Sequence, residues 1–428
     1  MQLNIPDSLQ KRVLIAGGGF AGLKLATKLA NSNFQVVLID KNNFHQFQPL
    51  FYQVATAGLE PSSISFPLRK IFQHYPDYFI RLAEIQRIEP DKQQLWTTSG
   101  LLGYDYLVLA QGAGNSFFGM KNLELGSKPM KSVAEALNLR NNLLRNFEDA
   151  LAFHSDEERE KFLNLVVVGG GPTGLEVSGA LAEMKRYILP KDFPELDQSK
   201  ITIHLVEASG RLIPSLSEKS SGKAKEFLHR LGVKVLLNTA VKDYHDDLLE
   251  LSDGTTIHSN LVLWTAGIAG NKIPGLKSGS IGPGNRIFVD RNNRVEGYSN
   301  IFALGDIALM KEDRFPNGHP QVAPVAIQQA SLLAGNLKRL LTGQPLVPFS
   351  YVDKGTMATV GRNLAIVELP YARFYGTFAW FVWMFVHLMS IVGTRNRFII
   401  FFNWFWSYIT YDQSLRLIID PEENKKEQ

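Results

Sequence analysis

The feature that most constrains this 428-residue chain is a pattern that occurs twice. A short apolar strand runs into a turn of the form Gly-x-Gly-x-x-Gly, at residues 17–22 and again at residues 169–174. A helical pattern follows each turn, and then a second strand that ends in an acid, Asp40 in the first copy and Glu207 in the second. A strand, a helix and a second strand of this length form a right-handed unit with parallel strands. The repeat therefore predicts an α/β fold that contains two such units.

The glycines of each turn suit the chemistry of a diphosphate. The first permits the tight turn, the second lets the backbone approach the ligand, and the third lets the helix pack closely on the strand. The ligand then meets N–H groups at the positive end of the helix. The carboxylates of Asp40 and Glu207 lie where they can accept hydrogen bonds from ribose hydroxyls. One such motif is weak evidence, but two complete copies predict two Rossmann-like dinucleotide-binding domains.

Glu207 also indicates which nicotinamide cofactor binds. An acid at the end of this strand hydrogen-bonds a free 2′-hydroxyl and repels the 2′-phosphate of NADPH. Arg211 is close in sequence, where it either meets a phosphate or is a solvated loop charge. We therefore expect NADH.

The chain contains no cysteine. This excludes disulfide scaffolds, thiolate nucleophiles, cysteine zinc sites and cysteine-ligated iron–sulfur clusters. The 45 basic and 41 acidic side chains give a net charge of +4, which is too mild to indicate a nucleic-acid partner. No His-rich metal spacing is present either, so we expect no metal and an organic redox cofactor.

The two ends of the chain differ. The first ten residues show no secretory signal, which predicts a location in the cytoplasm or on the cytoplasmic face of a membrane. Residues 374–394 contain no Lys, Arg, Asp or Glu. A helix over residues 374–392 would be about 28 Å long, close to the ~30 Å hydrocarbon core of a bilayer. A spanning helix is therefore compatible with the length of this segment.

Two features favour a helix that lies in the membrane interface instead. The next segment, residues 398–411, is too short to cross back. Its polar residues form one helical stripe, and the rest of its surface is Phe, Trp, Tyr and Ile. Trp and Tyr favour the headgroup level of a membrane. The alternative is a buried pair of helices that forms a homodimer. The polar residues that form one helical stripe are Asn396, Asn403, Ser407, Thr410 and Ser414.

Three further segments, at residues 104–113, 261–267 and 301–308, accompany the glycine motifs. Together they resemble flavoproteins with two dinucleotide-binding domains. Without cysteine, the chain cannot be one of that group's disulfide reductases, sulfide:quinone reductases or cysteine-based peroxidases and NADH oxidases. What remains is similar to the type II NADH:quinone oxidoreductases, single-chain respiratory dehydrogenases that do not pump protons. The resemblance covers nearly the whole chain, including residues 45–56 and the aromatic tail.

The resemblance implies an FAD-binding domain at residues 1–125 and 280–345, an NADH-binding domain at 126–279 and a membrane-anchoring region at 346–428. The first glycine motif and the Gly305-Asp306 element would bind FAD, with Asp306 at its ribityl–phosphate part. The residues expected at FAD are Gly17, Gly19, Phe20, Ala21, Gly22, Asp40, Lys41, Gly112, Gly305 and Asp306. Those expected at NADH are Gly169, Gly171, Thr173, Gly174, Glu207 and Gly267.

The resemblance also implies a quinone site, which in that family is lined by a motif of the form Ala-Gln-x-Ala-x-Gln. Here residues 323–328 read Ala-Pro-Val-Ala-Ile-Gln, and Gln329 follows. Gln328 and Gln329 would meet the quinone, Gln328 as a catalytic residue, while Pro324 replaces the first glutamine. Glu176 would lie near the nicotinamide and the flavin as a second catalytic residue. From the residues alone, an acid in a first helical turn is explained by the helix dipole.

The function that these observations imply is an FAD-dependent NADH:quinone oxidoreductase on the cytoplasmic face of the cell membrane. Hydride would pass from NADH to N5 of the flavin, and two electrons would then pass to a membrane quinone. Proton pumping is not expected, because no intramembrane acids form a path. One alternative is a flavoprotein reductase of a soluble acceptor, such as ferredoxin or a small oxidant. The other is a non-catalytic membrane module that responds to NADH.

Overall fold

The computed structural model describes residues 3–411 and 415–419. The chain divides into two compact units. Unit 1 comprises Met1–Gln46, Phe66–Gly114 and Ile268–Asp353, and unit 2 comprises Phe47–Ser65, Asn115–Gly267 and Lys354–Gln428. None of the helices in the described ranges has both the length and the apolar character that crossing a bilayer requires.

The helices and strands alternate through most of the chain. The α-helices are α1 (Phe20–Leu29), α2 (Phe51–Ala55), α3 (Leu68–Phe72), α4 (Lys121–Gly126), α5 (Val133–Leu151), α6 (Asp156–Leu163), α7 (Pro172–Tyr187), α8 (Leu189–Asp192), α9 (Glu218–Arg230), α10 (Ala323–Leu341), α11 (Thr377–Ser390) and α12 (Thr394–Thr410). The strands are β1 (Lys11–Ala16), β2 (Phe34–Asp40), β3 (Phe44–Gln46), β4 (Ser65–Pro67), β5 (Tyr78–Leu82), β6 (Ile85–Glu89), β7 (Gln94–Thr97), β8 (Gly100–Gly103), β9 (Tyr106–Leu109), β10 (Ala113–Asn115), β11 (Lys128–Pro129), β12 (Asn164–Val168), β13 (Thr202–Val206), β14 (Val233–Leu236), β15 (Val241–His245), β16 (Leu248–Leu251), β17 (Thr256–His258), β18 (Leu261–Trp264), β19 (Ile268–Gly270), β20 (Ile287–Phe288), β21 (Ile301–Ala303), β22 (Ala308–Leu309), β23 (Thr356–Gly361), β24 (Leu364–Leu369) and β25 (Ala372–Tyr375).

Unit 1 is built on a five-stranded sheet in the order β21-β9-β1-β2-β5, and all its strand pairs are parallel. In the first predicted strand–helix–strand unit, Val13 of β1 lies opposite Val36 of β2. Its strands are apolar almost throughout, because a parallel sheet is covered on both faces. Helices α1 and α10 pack against each other. Pro324 lies in the first turn of α10, where a missing N–H disrupts no intrahelical hydrogen bond.

Unit 2 repeats this plan. Its parallel sheet has the order β11-β18-β12-β13-β14, and Val166 of β12 lies opposite His204 of β13. A separate antiparallel sheet contains a hairpin in which β16 and β17 flank Gly254, at a φ of +88°. The α/β fold with two parallel-sheet units is confirmed.

The C-terminal segment of unit 2 differs from the helix considered over residues 374–392. Residues 372–375 form the edge strand β25, in which Phe374 pairs with Val367. Gly376, at a φ of +80°, then turns the chain into α11, which has 14 residues rather than the 19 considered from the sequence. In unit 1, residues 349–352 form no strand, and their backbone bonds Arg291 and the Gln328 side chain.

Candidate functional site

The first glycine turn has the geometry that its three glycines predict. Gly17 has a φ of +107°, and a Cβ there would be 2.4 Å from the Ala110 carbonyl oxygen. A Cβ on Gly22 would be 1.8 Å from the Gly17 oxygen, which fixes helix α1 closely on the turn. A Cβ on Gly19 would meet nothing within 4 Å. Gly19 is also the N-cap of α1, and it has no side chain to cap the helix. The turn therefore leaves open space at a helix N-terminus that attracts anions.

The acid at the end of β2 lies against this turn. The Gly18 amide donates to Asp40 Oδ2 at 2.6 Å, and the Asn42 amide donates to Oδ1 at 2.7 Å. Burial raises the pKa of the Asp40 carboxyl, while the two amides oppose that rise. Lys41 is exposed beside it. His45 is buried, and its Nδ1 lies 2.9 Å from the Gly18 carbonyl oxygen, which gives His45 a structural role behind the turn.

Gly305 joins the same region of unit 1. It has a φ of +70°, and a Cβ on it would lie 3.2 Å from Ala326 Cβ and 3.7 Å from Ala21 Cβ. The starts of α1 and α10 therefore meet at Gly305. The backbone oxygen of Asp306 accepts from Gln321 Nε2 at 2.9 Å. Gly112, at a φ of +68°, has open space around it. Open glycines beside two helix N-termini fit the diphosphate of FAD.

The second glycine turn reproduces the first. Gly169 has a φ of +110° against Ala266, and a Cβ on Gly174 would be 1.8 Å from the Gly169 oxygen. Gly171 again has nothing within 4 Å, and Thr173 follows in the first turn of α7. These features fit the diphosphate of NADH. Gly267 is tightly enclosed, because a Cβ on it would be 2.7 Å from the Ser116 oxygen.

Glu207 occupies the position of Asp40 in this second copy. Its Oε2 accepts from the Gly170 amide at 2.5 Å, and its Oε1 accepts from the Ser209 amide at 2.7 Å. Arg211 is anchored locally by a hydrogen bond from Nη2 to the Pro214 oxygen at 2.7 Å. Glu207 is therefore held at the glycine turn, whereas Arg211 hydrogen-bonds within its own loop.

Glu176 lies on the buried face of α7 and is only 9% exposed. Burial raises the pKa of its carboxyl to about 8, although the Thr359 amide favours the charged form. Two turns further along α7, Glu183 accepts a hydrogen bond from the Arg362 amide, and burial raises its pKa too. Both carboxyl groups line one cavity of unit 2, with about 100 Å³ of space for water-sized molecules. An acid of this pKa can both give and take a proton near neutral pH.

Aromatic side chains from α11 and α12 form the opposite side of this cavity. Trp404 Nε1 donates to Gln53 Oε1 at 2.7 Å, and Gln53 Nε2 donates to the Tyr52 hydroxyl oxygen at 2.8 Å. Burial and the nearby Glu176 raise the pKa of Tyr52 far above its usual range. Sequence reasoning assigned no role to Tyr52, Gln53 or Glu183. The only available signal was the family resemblance of residues 45–56.

The two glutamines of the expected quinone motif have separate environments. The Gln328 amide bonds the Val352 backbone twice, with Nε2 to the oxygen at 2.9 Å and Oε1 to the amide at 3.0 Å. Gln329 is 1% exposed, and its Oε1 accepts from the Gly305 amide at 2.7 Å. Gln329 therefore lies beside Gly305, one of the residues expected at FAD, and Gln328 fixes the backbone at Val352 to helix α10.

Helices α11 and α12 present an apolar outer face. The polar stripe of α12 faces the protein, where Asn396 Nδ2 donates to the Ser63 oxygen at 3.1 Å and Ser407 lines the cavity. Ser414, also placed in that stripe from the sequence, lies outside the described residues. His387 Nδ1 lies 2.8 Å from the Trp383 oxygen, within hydrogen-bond distance of its own helix. At least half exposed are Phe378, Phe381, Phe385, Met389, Phe398, Phe402, Phe405, Trp406 and Ile409.

Comparisons with known proteins agree with this geometry. Residues 11–330 match the pyridine nucleotide-disulphide oxidoreductase family, and residues 354–410 match the NDH2 C-terminal domain. The chain is 33% identical to the type II NADH:quinone oxidoreductase Ndh of Mycobacterium tuberculosis, over 96% of this chain and 91% of that protein. It is 28% identical to the type II NADH:quinone oxidoreductase of Staphylococcus saprophyticus, over 83% of this chain and 88% of that protein.

Among solved structures, the fold is similar to that of NDH2 from Plasmodium falciparum in complex with NADH. The TM-score is 0.88 at 20% identity, over 96% of this chain and 100% of that one. The family match over most of the chain and the 33% identity to the mycobacterial enzyme both exceed what a shared fold alone produces. The chain therefore belongs to the pyridine nucleotide-disulphide oxidoreductase family and, within it, to the type II NADH:quinone oxidoreductases.

Proposed function

We propose that this protein catalyses the FAD-dependent oxidation of NADH by a membrane quinone, without proton pumping. The observation that carries the proposal is the duplicated glycine turn, which gives each unit one open helix N-terminus with an acid beside it. Two such sites suit two dinucleotides, and a chain without cysteine has no disulfide of its own to accept the electrons. The net reaction is NADH + H⁺ + quinone → NAD⁺ + quinol.

FAD would be held by unit 1. The open space at Gly19 receives the diphosphate, Asp40 accepts from the ribose hydroxyls and Gly305 lets the Asp306 region approach the ribityl–phosphate part. When bound, the flavin supplies the hydride acceptor and the two-electron donor. The assigned set is Gly17, Gly19, Phe20, Ala21, Gly22, Asp40, Lys41, Gly112, Gly305 and Asp306.

NADH would be held by unit 2, with its diphosphate at Gly171 and its ribose at Glu207. The carboxylate favours a free 2′-hydroxyl over a 2′-phosphate, which supports NADH as the donor. Glu176 orients the carboxamide of the nicotinamide or passes a proton during quinone reduction. Its elevated pKa supports the second role. The assigned set is Gly169, Gly171, Thr173, Gly174, Glu207 and Gly267.

Gln328 and Gln329 would border the quinone. Both side chains already hydrogen-bond within unit 1, so a quinone carbonyl would have to compete with Val352 for the Gln328 amide. Pro324 has neither a side-chain amide nor a backbone N–H to offer. Quinone binding at this motif would therefore depend on fewer hydrogen bonds than the full glutamine pattern provides.

The outer face of α11 and α12 would lie in the cytoplasmic leaflet of the cell membrane. Its exposed Phe, Trp, Met and Ile side chains suit the boundary between headgroups and acyl chains. This would let a lipid-soluble quinone reach the protein without leaving the bilayer. A homodimer that buries part of this face is compatible with the same pattern. The FAD-binding domain would comprise residues 1–125 and 280–345. The NADH-binding domain would comprise residues 126–279, and the membrane-anchoring region residues 346–428.

A half-reaction experiment tests the proposed function. The detergent-purified holoenzyme is mixed with NADH, and flavin absorbance is followed before and after a ubiquinone or menaquinone analogue is added. Bleaching followed by quinone-dependent recovery is the expected result. Recovery only with ferredoxin or a small oxidant would assign a soluble acceptor. Bleaching that no acceptor reverses would contradict an enzymatic function.

A further inference from the structure

Quinone reduction by NADH takes up one proton from water in each turnover, as the net reaction requires. Glu176 is 9% exposed, so that proton needs a route to it. The cavity of unit 2 offers one, because its lining includes a second carboxyl group, that of Glu183. Glu183 is less deeply buried than Glu176.

The two carboxyl groups occupy one face of α7. They are seven residues apart, which is two helical turns and about 10.5 Å along the axis. The two side chains share no hydrogen bond within the part of the chain that the structure describes. The cavity has about 100 Å³ for water-sized molecules, whereas one water needs about 10–15 Å³ of such space. Several waters therefore fit between Glu176 and Glu183.

Tyr52 supplies a fixed hydroxyl in the same cavity. Its oxygen accepts from Gln53 Nε2 at 2.8 Å, and Gln53 is itself held by Trp404. Because Gln53 donates to the oxygen, the hydroxyl proton is not used in that hydrogen bond. Both Glu176 and Glu183 act electrostatically on Tyr52, with the larger effect from Glu176. A hydroxyl so placed can accept a proton from one side while it donates to the other.

Arg362 contacts Glu183 through its backbone and not through its guanidinium. Its backbone amide donates to Glu183 Oε1. Its guanidinium instead donates to the Ser407 oxygen at 2.6 Å and the Tyr408 oxygen at 3.0 Å, at the C-terminal end of α12. Across residues 3–411 and 415–419, no basic side-chain nitrogen lies within 4.0 Å of the Glu183 carboxylate. The carboxyl group is thus positioned by an amide and remains able to exchange a proton.

We propose that Glu183 takes the proton from water at the Arg362 end of the cavity and passes it, through cavity water and the Tyr52 hydroxyl, to Glu176. The titratable and charged groups along this route are Tyr52, Glu176, Glu183, Arg362 and Tyr408. The inference rests on the proposed function, since it assigns the source of the proton that quinol formation consumes. Buried carboxyl groups with elevated pKa values are suited to this exchange near neutral pH.

The test separates the two half-reactions of the full-length holoenzyme by stopped flow. Glu183→Gln keeps the hydrogen-bond acceptor for the Arg362 amide but removes the exchangeable proton. We expect flavin bleaching by NADH at the wild-type rate and quinone-dependent recovery slowed by at least about tenfold, with a larger solvent deuterium isotope effect. Glu183→Asp, which restores a carboxyl group, should recover most of the rate. Glu195→Gln, at an exposed position in the same unit, is the control and should match wild type.

Tyr52→Phe provides an independent variant if Glu183→Gln loses its flavin, and it should also slow only the recovery. Wild-type recovery in Glu183→Gln across pH 6–9, or in Tyr52→Phe, would overturn the relay. If Glu183→Asp is as slow as Glu183→Gln, a carboxyl group is not what the position supplies, and the relay is also overturned. Failure of the wild-type enzyme to recover with any quinone would instead refute the proposed function, and the relay with it.

Discussion

Gly179 of α7 lies directly against Val360 of β23, so that a Cβ on the glycine would be 1.6 Å from the Val360 carbonyl oxygen. This contact sets the distance between the helix and the strand in unit 2. It lies between Glu176 and Glu183 in the sequence, and Thr359 and Gly361 flank its strand partner. All four of these neighbours line the cavity. The contact therefore holds together the helix and the strand that both contribute to the lining of the cavity.

Gly179→Ala should destabilise unit 2, because its methyl group has to push the helix and the strand apart. Overpacking of this kind costs about 1–3 kcal/mol. Chemical denaturation followed by circular dichroism would measure the loss. Gly222→Ala in α9 is the matched control, since a Cβ there meets nothing within 4 Å. It should stabilise the protein by about 0.5–1 kcal/mol, as alanine does in place of a helical glycine. Equal effects of the two variants would contradict the close contact.

Gly19→Ala and Gly171→Ala should separate the two cofactor sites. Both positions have open space in the protein itself, so neither methyl group clashes with the fold. Each would instead occupy the space assigned to a diphosphate, at a cost of about 1–3 kcal/mol, which is about 5-fold to 100-fold in affinity. Gly19→Ala should lower FAD retention during purification. Gly171→Ala should retain FAD but raise the KM for NADH. Loss of FAD from Gly171→Ala alone would reverse the assignment of the two turns.

The repeated strands, turns and acids were predictable because the information is local. Each unit forms within about 30 residues, and the last glycine of each turn is required by a contact inside that turn, as Gly22 shows against Gly17. Family resemblance added Glu176, for which the residues alone gave a simpler explanation. The fold of unit 1 and the positions of its glycines therefore follow largely from sequence patterns.

The cavity was not predictable in the same way, because it combines segments that are distant in the chain. Tyr52, Glu183 and Trp404 become neighbours only when α2, α7 and α12 pack together. The length of α11 was also overestimated, since hydropathy cannot distinguish the edge strand containing Phe374 from a helix. Its register with Val367 is a tertiary contact.

Glu176→Gln should make stability less dependent on pH. The pKa of Glu176 is about 8 in the folded chain against an ordinary value of 4.5. The protonated form is thus favoured by folding, and its contribution is fully present below pH 4.5 and lost as the pH rises through 8. The difference corresponds to at most about 4–5 kcal/mol. Denaturation midpoints between pH 5 and 9 should fall more steeply in wild type than in Glu176→Gln. If the midpoints of the two proteins instead change in parallel with pH, Glu176 is already ionised in the folded protein across this pH range.

The double variant Phe402→Ser/Trp406→Ser should detach the protein from membranes while leaving the fold intact. Both side chains are more than 60% exposed on α12, so their loss leaves the buried Trp404 in place. Burying an aromatic or large aliphatic side chain contributes about 1.5–3 kcal/mol, so two removals should weaken lipid partitioning by at least about 100-fold. Deleting the tail is a poorer test, because it also removes Trp383 and Trp404 from the cavity.

Sedimentation with vesicles that contain anionic lipid measures this partitioning, and flavin bleaching by NADH confirms that the variant is folded. Leu125→Ser, on α4, removes an apolar side chain that is 82% exposed and should leave sedimentation unchanged. Quinone recovery in the double variant should be lost with a long-tailed quinone in vesicles and retained with a short-chain, water-soluble analogue. This follows because the outer face brings the enzyme to the quinone and does not take part in the chemistry. Full sedimentation of the double variant would assign membrane contact to another surface.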